Sequence, residues 1–402
     1  MTKSELQRRY NNYITQGLRL DISRGKPAPE QLDLSLGILS ITDYRSEDGT
    51  DLRNYGLLDG IPEAKRLFAD MLDVSPENVV VCGNSSLAIM YGRIKSAFVH
   101  GIGGDKPWHG QSIKFLCPVP GYDRHFSICE HFGIEMIPIP MGENGPDMDK
   151  IETLVEYDSS IKGIWCVPFY SNPSGTVYSD EVVKRFANLK PKAGDFRIFW
   201  DNAYCVHHLI DNPRKVLNIL HECEKAGNSD LVYIFASTSK ITFSGSGIGV
   251  FASSKNNVEE MKKALSYETI GYDKLNQLRH VKFLKNLDGI KAHMEKHREI
   301  LAPKFKLVLD TLERELTGIA TWTKPEGGYF VSFSAPKGTA KEIVRLCKEA
   351  GLVLTGAGAA YPYGYDKNDS NIRIAPTYPG LEELENAMEL FCVCVKLANE
   401  AR

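Results

Sequence analysis

The sequence has no apolar stretch approaching the ~20 residues that a membrane-crossing helix needs. It has no marked surplus of either charge: 48 Lys and Arg stand against 51 Asp and Glu, a net charge of −3. That balance removes the electrostatic case for a nucleic acid or an anionic membrane surface as partner. No C-x-x-C occurs among the nine cysteines. The ten histidines offer no close ligand pair beyond His207 and His208, and adjacent residues point in different directions, so no metal site is expected. No G-x-G-x-x-G follows the first strand-like segment and no G-K-[ST] occurs, which argues against a nucleotide-binding module. Repeats, low-complexity tracts and linker-like composition are missing too, so a chain of 402 residues should form two tightly joined domains. The opening residues MTKSELQRRYNNY are polar and charged, and neither a signal peptide nor an anchor is expected there. Cys82, Cys117 and Cys166 sit in apolar runs and read as reduced, buried thiols of a cytoplasmic protein.

What is present is alternation. Short apolar runs at 78–82, 113–117, 135–139, 163–167, 196–200, 231–235 and 248–252 are separated, for the most part, by segments long enough for a crossover helix, such as 85–99 and 180–189. This pattern predicts an α/β fold with a mostly parallel seven-stranded sheet covered on both faces. The connection between the last two runs is too short for a helical crossover, so 248–252 should be the one antiparallel strand. A periodic stretch from 282 to 315, interrupted only by Pro303, reads as one long helix leaving the large domain. Strands at 329–333, 352–355 and 372–374 and a helix at 339–350 follow, giving a smaller α+β domain onto which the amino-terminal helix and the 21–27 loop should pack. The expected division is 46–292 for the large domain, with 1–45 and 293–402 in the small one.

The chemistry gathers at strand ends. Lys240 closes the run Ser237-Thr238-Ser239-Lys240 directly after an apolar strand, where open α/β sheets bind ligands. Its amine can condense with an aldehyde, and the neighbouring hydroxyls and backbone N–H groups suit a phosphate. Together these suggest pyridoxal phosphate; the plain alternative is a surface lysine in a polar turn. Asp201 ends another strand and can face a pyridine nitrogen, with Tyr204 three residues on to donate to the ring's phenolic oxygen. An N-cap aspartate beside a packed tyrosine is the competing reading. Asn172, in the turn Asn172-Pro173-Ser174-Gly175, can give the same oxygen a second hydrogen bond or simply shape the turn. Gly83-Asn84-Ser85-Ser86 joins a strand to a helix start, which is an anion site or an ordinary cap. Tyr122 can stack on a cofactor ring or pack. Arg373 lies inside an apolar strand, where its fork needs a partner: a substrate carboxylate or a buried acid.

Taken in order, Asn84-Ser85-Ser86, Tyr122, Asn172-Pro173-Ser174-Gly175, Asp201-x-x-Tyr204, Ser237-x-x-Lys240 and Arg373 resemble the fold-type I pyridoxal-phosphate aminotransferases over almost the whole chain. The segments 22–27, 120–126, 273–280 and 327–330 resemble a bacterial subgroup of aspartate aminotransferases. The resemblance implies transfer of an amino group from an L-amino acid, L-aspartate above all, to 2-oxoglutarate. It implies Lys240, Asp201 and Tyr204 as catalytic residues, and Asn84, Ser85, Ser86, Tyr122, Asn172, Ser237 and Ser239 around the cofactor. It also implies a homodimer with shared active sites, in which Tyr55 reaches the phosphate in the neighbouring subunit and Gly25 belongs to a mobile segment over the substrate. Arg373 and Asn172 would hold the substrate.

One position departs from the family pattern. The arginine expected eight residues after the lysine is Ile248 here, which leaves the phosphate less compensated. Ser237, Ser239, the 84–86 backbone and Ser246 are expected to carry that load. An aspartate-specific enzyme also needs a second cation, with Arg24, Lys26, Arg93, Arg124, His125 and Lys274 as candidates. A carbon–sulfur lyase on the same cofactor residues, an aminotransferase with another donor and a pyridoxal-phosphate-binding regulator are the other readings. The regulator lacks its basic helix-turn-helix here.

Overall fold

The computed structural model describes residues 2–400. A two-residue strand, Leu20–Asp21 (β1), precedes the main sheet. That sheet comprises Val79–Val81 (β2), Lys114–Val119 (β3), Glu135–Gly142 (β4), Gly145–Pro146 (β5), Ile161–Cys166 (β6), Arg197–Asp201 (β7), Val232–Ser237 (β8) and Gly249–Ala252 (β9). Its spatial order is β2-β9-β8-β7-β6-β3-β4-β5. All seven expected strands are present, and β9 is the one that runs antiparallel to both its neighbours. The eighth, β5, is a two-residue return paired to the end of β4, a turn too short to register as an apolar run.

Alternation along each strand assigns side chains to the two faces. Ile198, Trp200 and Ile234 join a core with Phe68 and Phe186 on one side, while Phe199, Tyr233 and Phe235 join Ile94 and Phe126 on the other. Strands buried on both faces need helices on both, and Pro62–Leu72, Asp180–Ala187 and Ser86–His100 provide them. Each fully buried aromatic stabilises the fold by roughly 1.5–3 kcal/mol.

The periodic stretch from 282 is not one helix. Lys274–Leu284 ends at Lys285, whose φ of 67° leaves the right-handed region. The long helix begins only at Leu287, capped by the Asn286 side chain, which accepts from the Gly289 N–H at 2.9 Å, and runs through Pro303 to Leu316. Beyond it, Thr321–Trp322 (β10), Val331–Ser334 (β11) and Asn371–Ile374 (β13) form a three-stranded antiparallel sheet in the order β10-β11-β13. Leu352–Val353 (β12) does not join them; it pairs in parallel with β1, placing Leu20 beside Leu352. A helix at Leu381–Glu400, which the strand-and-helix pattern did not single out, supplies Met388, Phe391 and Val395 to a second core shared with Leu6, Tyr10 and Ile22. The amino-terminal helix and the segment after β1 therefore pack where expected.

Candidate active site

In the main sheet the chain leaves β3 for β4 on one side and later returns to β3's other side as β6. Ligands of open α/β sheets bind outside the carboxyl ends at such a reversal. The loops after β3 and β6 carry Tyr122 and Asn172; the ends of β7 and β8 carry Asp201 and the Ser237–Lys240 turn.

Asp201 is buried, and both its oxygens are engaged. Oδ1 accepts from the Ala203 N–H at 3.2 Å, and Oδ2 lies 3.1 Å from His125 Nε2, which must carry the proton because a carboxylate only accepts. His125 is held by stacking on Trp165, with centroids 4.5 Å apart and planes 11° apart, and by the Tyr122 ring edge-on at 4.9 Å. Lys240 extends over the Tyr204 ring, its Nζ 4.9 Å from the centroid and 5.9 Å from that of Tyr329. Burial lowers the pKa of this amine, and the Asp201 charge only partly opposes the shift. Burial, aided by Tyr122, Asp201 and Tyr329, pushes the Tyr204 phenol well up, so it stays a donor. Burial with the Asp201 and Asp123 charges raises Tyr122 to about 12.

Arg373 enters from β13. Its Nη1 donates to Asp123 Oδ1 at 2.9 Å and to Asn172 Oδ1 at 3.3 Å, and its Nη2 donates to Thr355 Oγ1 at 3.2 Å. Its Nε is buried without a partner, a costly state that an incoming carboxylate would relieve. The guanidinium lies 4.9 Å over the Phe330 ring. Gly25 presses on that ring from the amino-terminal segment: a Cβ there would sit 2.4 Å from Phe330 Cζ. Asn172 follows Tyr170, which holds a φ of 50°, and the Asn172–Pro173 peptide is cis.

The helix start at 83–86 meets the lysine turn directly. Ser239 Oγ donates to the Asn84 carbonyl at 3.3 Å, Asn84 Nδ2 donates to the Gly245 carbonyl at 3.4 Å, and Ser85 caps the helix Ser86–His100. Free N–H groups at a helix start beside serine hydroxyls form a site for an anion. Ser86 and Ser237 are buried beside it.

The family model for aspartate amino-transferase matches residues 1–402. The chain belongs to the aspartate aminotransferase family. A putative aminotransferase of Mycolicibacterium smegmatis is 47% identical over 99% of this chain and 95% of its own length. The aspartate aminotransferase of Corynebacterium glutamicum is 44% identical over 98% of this chain and 93% of its own. The crystal structure of an aspartate transaminase from Corynebacterium glutamicum matches with a TM-score of 0.97 at 43% identity, covering 99% of this chain and 96% of that one. The chain is thus an aminotransferase, and aminotransferases of this family and fold use pyridoxal phosphate.

Within the aminotransferase, the remaining candidate residues sit in different surroundings, and two of them, Arg93 and His125, are not free cations. Arg93 is not a reader of substrate: it is buried in the helix Ser86–His100, paired with Glu260 and bonded to Tyr233 Oη at 3.3 Å. His125 serves Asp201 instead of a distal carboxylate. Lys26 lies 3.6 Å over the Tyr378 ring, Arg24 and Arg124 are exposed, and Lys274 is buried at the start of its helix. Ile248 cannot stand in for an arginine, because it is buried in the core with Ile234 and Ile241 and its N–H donates to Thr238 Oγ1 at 2.9 Å. Ser246 sits on the exposed 244–246 turn, and its carbonyl accepts from Asn276 Nδ2 at 3.0 Å. Tyr55 is 82% exposed on the chain's surface, which leaves open the expected reach to a neighbouring subunit. Sequence reasoning missed Asp123 and Thr355 beside Arg373, and His125 as the partner of Asp201. It also missed a buried group beneath Lys240: His207, His293, His297, Gln31 and Tyr329. The spacing of His293 and His297, i and i+4 on one helix face, was the available signal.

Proposed function

We propose that this aminotransferase moves the amino group of L-aspartate to 2-oxoglutarate, with pyridoxal phosphate attached at Lys240, as a cytoplasmic homodimer. The observation that carries the reading is the convergence of a lysine of lowered pKa, a buried carboxylate and a high-pKa phenol at adjacent strand ends, opposite an arginine with an open donor. The donor set suits the cofactor: an amine for the aldehyde, a buried carboxylate, a phenol, and a helix start beside serine hydroxyls for the phosphate. When bound, pyridoxal phosphate supplies an electron sink conjugated to the amino acid's Cα.

The protein's own groups do the rest. Arg373 takes the α-carboxylate, its Nε and Nη2 offering the side-on fork, and this fixes which Cα bond stands perpendicular to the ring. Lys240 removes the Cα proton and returns it one position along, a task suited to an amine whose pKa burial has lowered. Asp201 holds the proton on the ring nitrogen, and His125 fixes that carboxylate in place. Tyr204 donates to the phenolic oxygen. Asn172 does likewise through Nδ2, since its Oδ1 is taken by Arg373. Tyr122 covers the ring. Asn84, Ser85, Ser86, Ser237 and Ser239 bind the phosphate, aided by Tyr55 of a second copy, and Gly25 lets the amino-terminal segment close over the substrate. Exposed Leu36, Leu39, Tyr55, Tyr267 and Ile270 support the dimer. The division into 46–292, and 1–45 with 293–402, is part of the proposal and is supported by separate cores.

Borohydride reduction of the loaded protein followed by peptide mass analysis tests the attachment; no adduct at Lys240 refutes it. A panel of amino donors against 2-oxoglutarate tests the substrate, and L-aspartate should give oxaloacetate and glutamate with the highest kcat/KM.

A further inference from the structure

The backbone at the lysine and just after it is held by groups that the reaction does not touch. The Ile241 carbonyl accepts from His293 Nε2 at 2.8 Å and from His297 Nε2 at 3.0 Å. The Lys240 carbonyl is met by His207 Nε2 at 3.3 Å and Tyr329 Oη at 3.5 Å. A carbonyl only accepts, so all three imidazoles carry their proton on Nε2. The two Nε2 atoms of His293 and His297 lie 3.2 Å apart and both point at one oxygen, so they do not bond each other.

The remaining polar atoms close the circuit. Gln31 Oε1 accepts from the Ala28 N–H at 3.0 Å, which turns its Nε2 toward His297 Nδ1 and Tyr329 Oη, both at 3.0 Å. Ser35 Oγ lies 3.2 Å from His293 Nε2. Gln31 and His297 are almost fully buried. A second proton on His297 would have to enter at Nδ1, where the Gln31 amide hydrogen already points, so the network holds only with a neutral ring. Gln31 and Ser35 belong to the segment that runs on from Gly25, and that segment is tied to the substrate side through the Lys26 carbonyl, which accepts from Thr377 Oγ1 at 3.0 Å.

We infer that His293, His297 and Gln31 are positioning residues for Lys240: they fix the carbonyl that follows the lysine and link it to the amino-terminal segment over the substrate. The inference rests on the reading that Lys240 carries the cofactor. Two donors fill both lone pairs of that carbonyl, and by holding the peptide next to Lys240 they set the direction in which the lysine side chain leaves the backbone. The charged and titratable groups facing that side chain are Asp201, Tyr204, Tyr329 and His207; Lys296 acts on His293 from the same helix.

The test uses the full chain loaded with pyridoxal phosphate. The variants are His293→Leu, His297→Leu, and the pair His297→Gln and His297→Asn. A glutamine amide reaches the place of Nε2, whereas an asparagine amide reaches only that of Nδ1. The readouts are kcat and KM for the amino donor, the pH midpoint of the cofactor's absorbance change, and the melting temperature. Misplacing a reacting group by a fraction of an ångström to one ångström costs up to about a hundredfold in rate. The leucine and asparagine variants should therefore lose about tenfold in kcat, keep KM within about twofold and shift the absorbance midpoint, while His297→Gln recovers most of the loss. A lowered melting temperature with kcat and midpoint unchanged would overturn the inference. So would equal behaviour of the glutamine and asparagine variants, which decides the matter if leucine prevents folding. An unmodified chain that forms no lysine adduct would overturn the Lys240 reading and this inference with it; an intact adduct insensitive to the histidines overturns the inference alone.

Discussion

In the proposed reading Arg373 takes a substrate carboxylate, and Asp123 occupies that arginine, so Asp123→Asn should tighten the binding of carboxylates. The contact is direct, Nη1 to Oδ1 at 2.9 Å, which puts the two charge centres about 4 Å apart. At an effective dielectric of about 20 their attraction is ~4 kcal/mol. Asp123 is 34% exposed, however, and solvent screening reduces that figure to about 1–2 kcal/mol. A carboxylate arriving at the open Nε either displaces Asp123 or sits beside its negative charge. Removing the charge helps in both cases, by about tenfold in Kd for each 1.4 kcal/mol. The asparagine keeps an oxygen for Nη1, so the guanidinium should stay in place over Phe330. The assay is calorimetric titration of the cofactor-loaded protein with an unreactive dicarboxylate, at low and high salt. Binding tightened about tenfold, with the gain shrinking as salt rises, is expected. Unchanged or weaker binding by Asp123→Asn would refute the reasoning, because it would mean that the ion pair organises the site and does not compete for it.

Two further outcomes follow from the buried groups. Burial and the neighbouring His293 depress the His297 pKa from an ordinary 6.5 to about 4, so between these values the unfolded chain binds more protons than the folded one. Its contribution is therefore fully present above pH 6.5 and is lost as pH falls toward 4, by up to about 1.4 kcal/mol per pH unit; denaturant midpoints measured from pH 7 to 5 should fall less steeply in His297→Gln, and identical slopes would count against a neutral buried ring. Ile248→Arg should not restore a phosphate contact, because the side chain points into the core beneath the sheet; it should destabilise by several kcal/mol and leave pyridoxal phosphate affinity no tighter, as read by chemical denaturation and cofactor titration.

The strand ends were legible because two physical signals coincided there. Doubly buried parallel strands read as unbroken apolar runs, and the first polar residue after each run is forced to the carboxyl edge: Asp201, Ser237 and the 83–86 turn were all found this way. Partners across the fold were not legible. Asn172 and Asp123 meet Arg373 across long stretches of chain, and nothing in their local sequence declares it. His125 looked like a free cation because a histidine at a helix start does not reveal that a strand end and the Trp165 ring enclose it. The break at Lys285 escaped because hydrophobic periodicity continues across it; only the Asn286 cap marks it. The helix Leu381–Glu400 escaped for the opposite reason, since Leu390–Val395 is apolar on every side and carries no helical period.

The charges at the strand ends explain why the site tolerates Ile248. A buried ion without a partner is expensive, and each ion here has one: Asp201 has the His125 N–H, and Arg373 has Asp123. For the lysine, burial lowers the pKa and the Asp201 charge opposes that shift only in part. Two acids, Asp201 and Asp123, stand against Arg373 and Lys240, so no surplus cation faces the helix start at Ser86. A phosphate entering there needs hydrogen bonds and the helix dipole more than a counter-ion from its own loop, and Ser85, Ser237 and Ser239 lie around that start. Position 248 is then released for packing, and β9 uses it by leading into the sheet with an apolar side chain. In the proposed reading, the cation left for a carboxylate is then Arg373, whose Nε is buried without a partner.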